Sequence, residues 1–71
     1  MKYRDLISKI RKAAKQLDIP FVKQRQKGSH QVWLCGTTPV VIPKHGGEIN
    51  EITAISICKT LEEPLGEGWW K

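Results

Sequence analysis

A chain of 71 residues has room for one domain with a small core, and none for a barrel or a doubly wound sheet. Hydrophobic residues at 39% suffice for that core and argue against disorder, two cysteines are too few for a disulfide framework, and the longest apolar run, Val32-Trp33-Leu34-Cys35, falls far short of a membrane span. The net charge of +5 is polarised, with +7 in residues 1–30 and −2 in residues 31–71, a field that attracts polyanions and nucleic acid first among them.

Tyr3, Leu6, Ile7, Ile10, Ala13, Ala14 and Leu17 recur at steps of three and four, which predicts a helix over about residues 2–18, stopped before Pro20. Most of Lys2, Arg4, Lys9, Arg11, Lys12 and Lys15 fall on its other arc. The period then changes to two. Phe21 to Lys27 reads as a strand with Lys23, Arg25 and Lys27 on one face. Gly28-Ser29 is a tight turn, His30 to Cys35 a second strand, Gly36-Thr37-Thr38-Pro39 another turn, and Val40-Val41-Ile42 a short third strand ended by Pro43. Short connections favour an antiparallel meander. Asn50 can cap a second helix whose apolar residues Ile52, Ile55, Cys58 and Leu61 repeat every three positions, with Ala54 and Ile57 widening the stripe, up to Pro64. Residues 65–71 form a tail carrying Trp69 and Trp70.

The predicted class is α+β, in the order α-β-β-β-α, as a single domain over residues 1–71. Both helices should cover one face of a three-stranded antiparallel sheet. The other face is left open, and strand one should present its three cations there. His30 shares parity with Val32 and Leu34, which are expected to face the core.

Several chemistries find no support. The spacing of His30, Cys35, His45 and Cys58 contains no close pair of zinc ligands, so no metal is expected. Cys35 lies an odd number of residues after His30, which places the two on opposite faces of a strand and counts against a nucleophilic dyad. The segment Met1-Lys2-Tyr3-Arg4-Asp5 lacks the apolar stretch of a signal peptide, so a cytoplasmic protein with reduced thiols and no membrane partner is expected.

The segment Lys27-Gly28-Ser29-His30 carries the most chemistry. A histidine behind a tight turn and beside cations sits where a polyanion would lie. Imidazole exchanges a proton near neutral pH. RNA brings its own nucleophile, the ribose 2′-hydroxyl. A base that removes its proton lets that oxygen attack the adjacent phosphorus, while lysine and arginine stabilise the charge that develops. Read from composition and spacing alone, His30 is either such a base or a residue capping the edge of the core.

Three stretches taken together, Arg4-Asp5-Leu6-Ile7, Gly28-Ser29-His30 and Val41-Ile42-Pro43-Lys44-His45, resemble the HicA family, the toxin half of HicA–HicB toxin–antitoxin modules. The resemblance runs from Met1 to about Leu65. It implies a fold like the double-stranded RNA-binding domain and a metal-independent, cofactor-free endoribonuclease that cuts messenger RNA. It implies that His30 is the catalytic histidine and that a HicB-type antitoxin is the partner. Around His30, the candidates for RNA contact are Lys23, Arg25, Lys27, Ser29, Lys44 and His45. His45 is a substrate contact, a structural residue or a general acid for the leaving oxygen. Trp69 and Trp70 either anchor a partner or fold back over the second helix. The alternatives are a non-catalytic RNA-binding module of the same fold, which would need the cations but no imidazole, and a small subunit whose basic half binds an acidic protein.

Overall fold

The computed structural model describes residues 1–44 and 46–71. The element order is α1 (Tyr3–Gln16), β1 (Phe21–Lys27), β2 (His30–Cys35), β3 (Thr38–Pro43), α2 (Glu51–Thr60) and a single-turn α3 (Glu62–Leu65). The strands form one antiparallel sheet in the order β1-β2-β3. Leu6, Ile7, Ile10 and Ala14 of α1 join Ala54, Ile57, Cys58 and Leu61 in one core cluster with Phe21, Trp33, Cys35, Val40 and Ile42 of the sheet. This is the α-β-β-β-α arrangement expected, with the second sheet face left open.

Helix α1 ends earlier than its apolar spacing suggests. The N–H of Asp18 donates to the Lys15 carbonyl and that of Ile19 to the Ala14 carbonyl, and Asp18 sits at φ 57°. These are the paired bonds of a Schellman stop, with an aspartate where glycine is usual. The stop turns Leu17 outward, so it is exposed rather than part of the buried face.

Both hairpins turn on two residues, Gly28-Ser29 and Gly36-Thr37, each with glycine first at φ near 60°. A side chain at Gly28 would have to adopt the left-handed region, which costs most residues about 1 kcal/mol or more. Because the second turn takes only Gly36 and Thr37, β3 begins at Thr38 and runs longer than Val40–Ile42. It is an edge strand, so Pro39 is tolerated in it. The Lys44 N–H bonds inward to the Ser29 carbonyl at 2.6 Å. Pro39 and Pro43 fall on the opposite alternation and offer no N–H along the free edge. The other edge, β1, is interrupted by a bulge between Lys23 and Arg25. Both devices discourage edge-to-edge pairing.

The register fixes which side chains share a face. The rows Phe21–Cys35–Thr38, Lys23–Trp33–Val40 and Gln26–Gln31–Ile42 lie under the helices. The rows Val22–Leu34–Pro39, Arg25–Val32–Val41 and Lys27–His30–Pro43 lie on the open face. Two expectations are corrected by this. Val32 and Leu34 do not face the core. The buried residues of β2 are Gln31, Trp33 and Cys35. Trp33 stacks on Phe21 with ring centroids 4.5 Å apart, which places the largest apolar surface inside. The three cations of β1 also do not share a face. The bulge inserts one extra residue and reverses the alternation, so Lys23 lies on the helix side while Arg25 and Lys27 lie on the open side.

Helix α2 buries a narrower stripe than expected. Asn50 caps it as predicted, its Oδ1 accepting from the Ile52 N–H at 2.8 Å. Of the predicted stripe, Ala54, Ile57, Cys58 and Leu61 are buried, at the steps of three and four that a single face requires. Ile52 and Ile55 are exposed. Pro64 does not end α2. It lies in the first turn of α3, where its missing N–H removes no helical bond.

Candidate functional site

His30 opens β2 directly after the Gly28-Ser29 turn and is exposed on the open face. Its cross-strand neighbours are Lys27 on β1 and Pro43 on β3. The next row on the same face, one side-chain repeat or about 7 Å along the strands, is Arg25, Val32 and Val41. Arg25, Gln26, Lys27, His30, Val32 and Val41 line a concavity of about 490 Å³, within the size range of small-ligand sites. A second concavity on the other flank of His30 is lined by Pro43, Glu48, Ile49, Asn50 and Thr53. His30 therefore stands between a cationic hollow and a neutral-to-acidic one.

Among the described residues, the ion pairs are those of the Met1 ammonium with Glu48 and Glu51, at 3.0 and 3.8 Å. Among the described residues, none of the lysines and arginines of the amino-terminal half is paired with a carboxylate, Arg25 and Lys27 beside His30 included. Burial raises the thiols of Cys35 and Cys58 above the ordinary cysteine range, and both lie in the core rather than at the site. Among the described residues no three His, Cys, Asp or Glu side chains gather as metal donors.

Beneath the site lies a polar chain whose members were not singled out in the sequence. Gln31 is only 2% exposed. Its Oε1 accepts from the Tyr3 hydroxyl and from Trp33 Nε1, the latter at 2.9 Å. Its Nε2 donates to Gln26 Oε1 at 3.2 Å, and Gln26 Nε2 donates to the Gly28 carbonyl at 3.0 Å. All donors run in one direction, from α1 through the sheet to the turn that precedes His30. A buried amide with every polar atom bonded rigidifies what it joins. The available signal was a glutamine in phase with Trp33 and Cys35.

The remaining candidates are more dispersed. Ser29 is half-buried in the turn and receives the Lys44 N–H on its carbonyl. Lys44 itself turns toward α1, its Nζ 5.3 Å from the centre of the Tyr3 ring. It adjoins the site through its backbone rather than its ammonium. Lys23 lies on the far side of β1. His45 lies outside the described residues. The tail folds back: Trp69 Nε1 donates to the Cys58 carbonyl at 2.9 Å, and Glu62 Oε2 accepts from the Gly68 N–H at 2.8 Å and from Trp70 Nε1 at 3.3 Å. Both indoles are half-buried against the core, which is the fold-back arrangement.

No helix is long and apolar enough to cross a membrane among the described residues. No family model, curated protein or solved structure matches the chain.

Proposed function

We propose that this protein is an endoribonuclease of the HicA type, a toxin that cuts messenger RNA and is held in check by a HicB-type antitoxin. The observation that carries the reading is the open-face row Lys27–His30–Pro43 with Arg25 in the next row: an exposed imidazole beside cations that, among the described residues, pair with no carboxylate and lie on a face no described element covers. His30 removes the proton of a ribose 2′-hydroxyl. The 2′-oxygen forms a bond to the adjacent phosphorus as the bond from phosphorus to the 5′-oxygen breaks, and that oxygen leaves with a proton from water or a neighbouring acid. Arg25 and Lys27 hold the phosphate and offset the charge that builds on it. The substrate supplies the nucleophile, so a scaffold of this size needs only a base and cations.

The products test the reading. An upstream fragment ending in a 2′,3′-cyclic or 3′-phosphate, formed equally well in excess EDTA, is the expected result. A 3′-hydroxyl end, or loss of cleavage on chelation, would indicate water attack assisted by a metal. Binding of RNA with no cleavage at all would leave the non-catalytic binding module as the function.

A further inference from the structure

The bulge in β1 divides its cations between two surfaces, and only one of them contains His30. On the helix side, Lys23 pairs across the sheet with Trp33. The guanidinium of Arg11 lies over the same Trp33 ring at 5.7 Å and over Phe21 at 5.9 Å. Lys15 follows Arg11 by one helical turn, about 6 Å along α1. Arg11 and Lys15, with Asp18, Ile19, Pro20 and Phe21, line a concavity of about 300 Å³ at this end of the molecule, Asp18 being the acidic residue of its lining. Among the described residues, none of the three cations is in an ion pair. Arg11 is moreover held in place by the aromatic stack, and a cation fixed on ring faces keeps its N–H groups for an anion.

Arg25 and Lys27 on the open face and Lys23, Arg11 and Lys15 on the helix face therefore form one cationic band folded around the β1 edge. We propose that this band is a track for single-stranded RNA: the strand that presents its scissile phosphate to His30 continues around the edge of β1 onto the flank of α1. The proposal rests on the RNA reading above and adds to it the class of RNA. The protein measures 30 × 24 × 16 Å, and the two rows lie on opposite sides of its sheet. A duplex is too stiff to bend around so thin a body, since even smooth bending of DNA has a persistence length of about 150 base pairs. A single strand has no such restriction, and its contacts on the helix face add affinity for every sequence alike.

Fluorescence anisotropy with a labelled trinucleotide, a single-stranded dodecamer and a duplex dodecamer tests the track, using the non-cleaving 2′-deoxy forms. Each phosphate neutralised on a single strand contributes roughly 0.7 to the slope of log K against log salt. The dodecamer should bind more tightly than the trinucleotide, with a slope steeper by about 2. Arg11→Gln/Lys15→Gln/Lys23→Gln should remove that extra slope, cutting the dodecamer's advantage about 20-fold between 200 and 50 mM salt. Lys15→Gln/Lys23→Gln, which leaves Arg11 on its rings, should remove about 1.4 of it. The duplex should compete poorly. Equal slopes for trinucleotide and dodecamer, unchanged slopes in both variants, or a duplex that competes as well as the single strand would each overturn the track. Anisotropy reads binding alone, so a failure of His30 as a base would leave these outcomes unaffected.

Discussion

Replacing Gln31 with methionine is expected to destabilise the fold by about 2 kcal/mol, although it puts an apolar side chain of similar size into a buried position. The Trp33 indole N–H loses its acceptor in the core, which costs about 1–3 kcal/mol for a buried donor left unpaired. The Tyr3 hydroxyl loses its acceptor too, but it is only partly buried and recovers most of its bonding from water. Gln26 loses the donor that aligns its amide with the Gly28 carbonyl, a bond that contributes about 1 kcal/mol. The added apolar burial offsets about 1 kcal/mol of the total. For 71 residues the whole stability is about 4–11 kcal/mol, so the loss is a large fraction of it and lowers Tm by roughly 8–16 °C. Urea unfolding followed by tryptophan fluorescence measures it. In the cycle with Tyr3→Phe, the double variant should be more stable than the sum of the singles predicts, by about 0.5 kcal/mol or more, because removing both partners leaves fewer orphaned groups. A Gln31→Met variant within 0.5 kcal/mol of the parent and strictly additive with Tyr3→Phe would refute the idea that this chain of amides holds the hairpin.

Other changes follow from single features. Asp18→Gly should stabilise the protein by about 0.5–1 kcal/mol in thermal unfolding, because the Schellman stop requires φ near 57°. Glu62→Ala should release the tail, read as a red shift in tryptophan emission and faster exchange of the Trp69 and Trp70 indole protons, since the Glu62 carboxylate accepts from both Gly68 and Trp70. Cys35 and Cys58 should react slowly with iodoacetamide at pH 8, because burial hides them and raises both pKa values, and the thiolate is the reactive form. Their raised values also set a sign for stability. The folded state favours the protonated thiols, so this contribution is intact below the ordinary cysteine pKa and is lost as pH rises past it, seen as a falling urea midpoint on the alkaline side.

The order of elements, the first hairpin turn, the Asn50 cap and the place of His30 at the start of β2 were legible because each rests on local signals: a proline, a turn glycine, a side chain within reach of the next amides. The phases were not. In β2 both alternating sets contain apolar residues, Val32 and Leu34 in one, Trp33 and Cys35 in the other, so period two alone does not choose between them. The choice was made by Gln31, which the core accepts because Tyr3, Trp33 and Gln26 satisfy it. This same phase carries His30 to the open face. The β1 bulge has no glycine or proline to mark it, and without it Phe21 would bring Arg25 and Lys27 under the helices. In α2 the strict three-residue spacing of Ile52, Ile55 and Cys58 drifts around a helix, whereas Ala54, Ile57, Cys58 and Leu61 stay on one side. The grouping of Lys23 with Arg11 and Lys15 depends on pairing between distant segments and has no local sign.

His30→Ala tests the central claim most directly. Its cleavage rate on single-stranded RNA, measured under single-turnover conditions on protein shown by circular dichroism to be folded, should fall by roughly 10²–10⁴, the usual contribution of a positioned base. RNA affinity of the same variant should change little, because Arg25, Lys27 and the cations around the β1 edge remain. A folded His30→Ala protein that cleaves RNA at close to the parent rate would contradict the account.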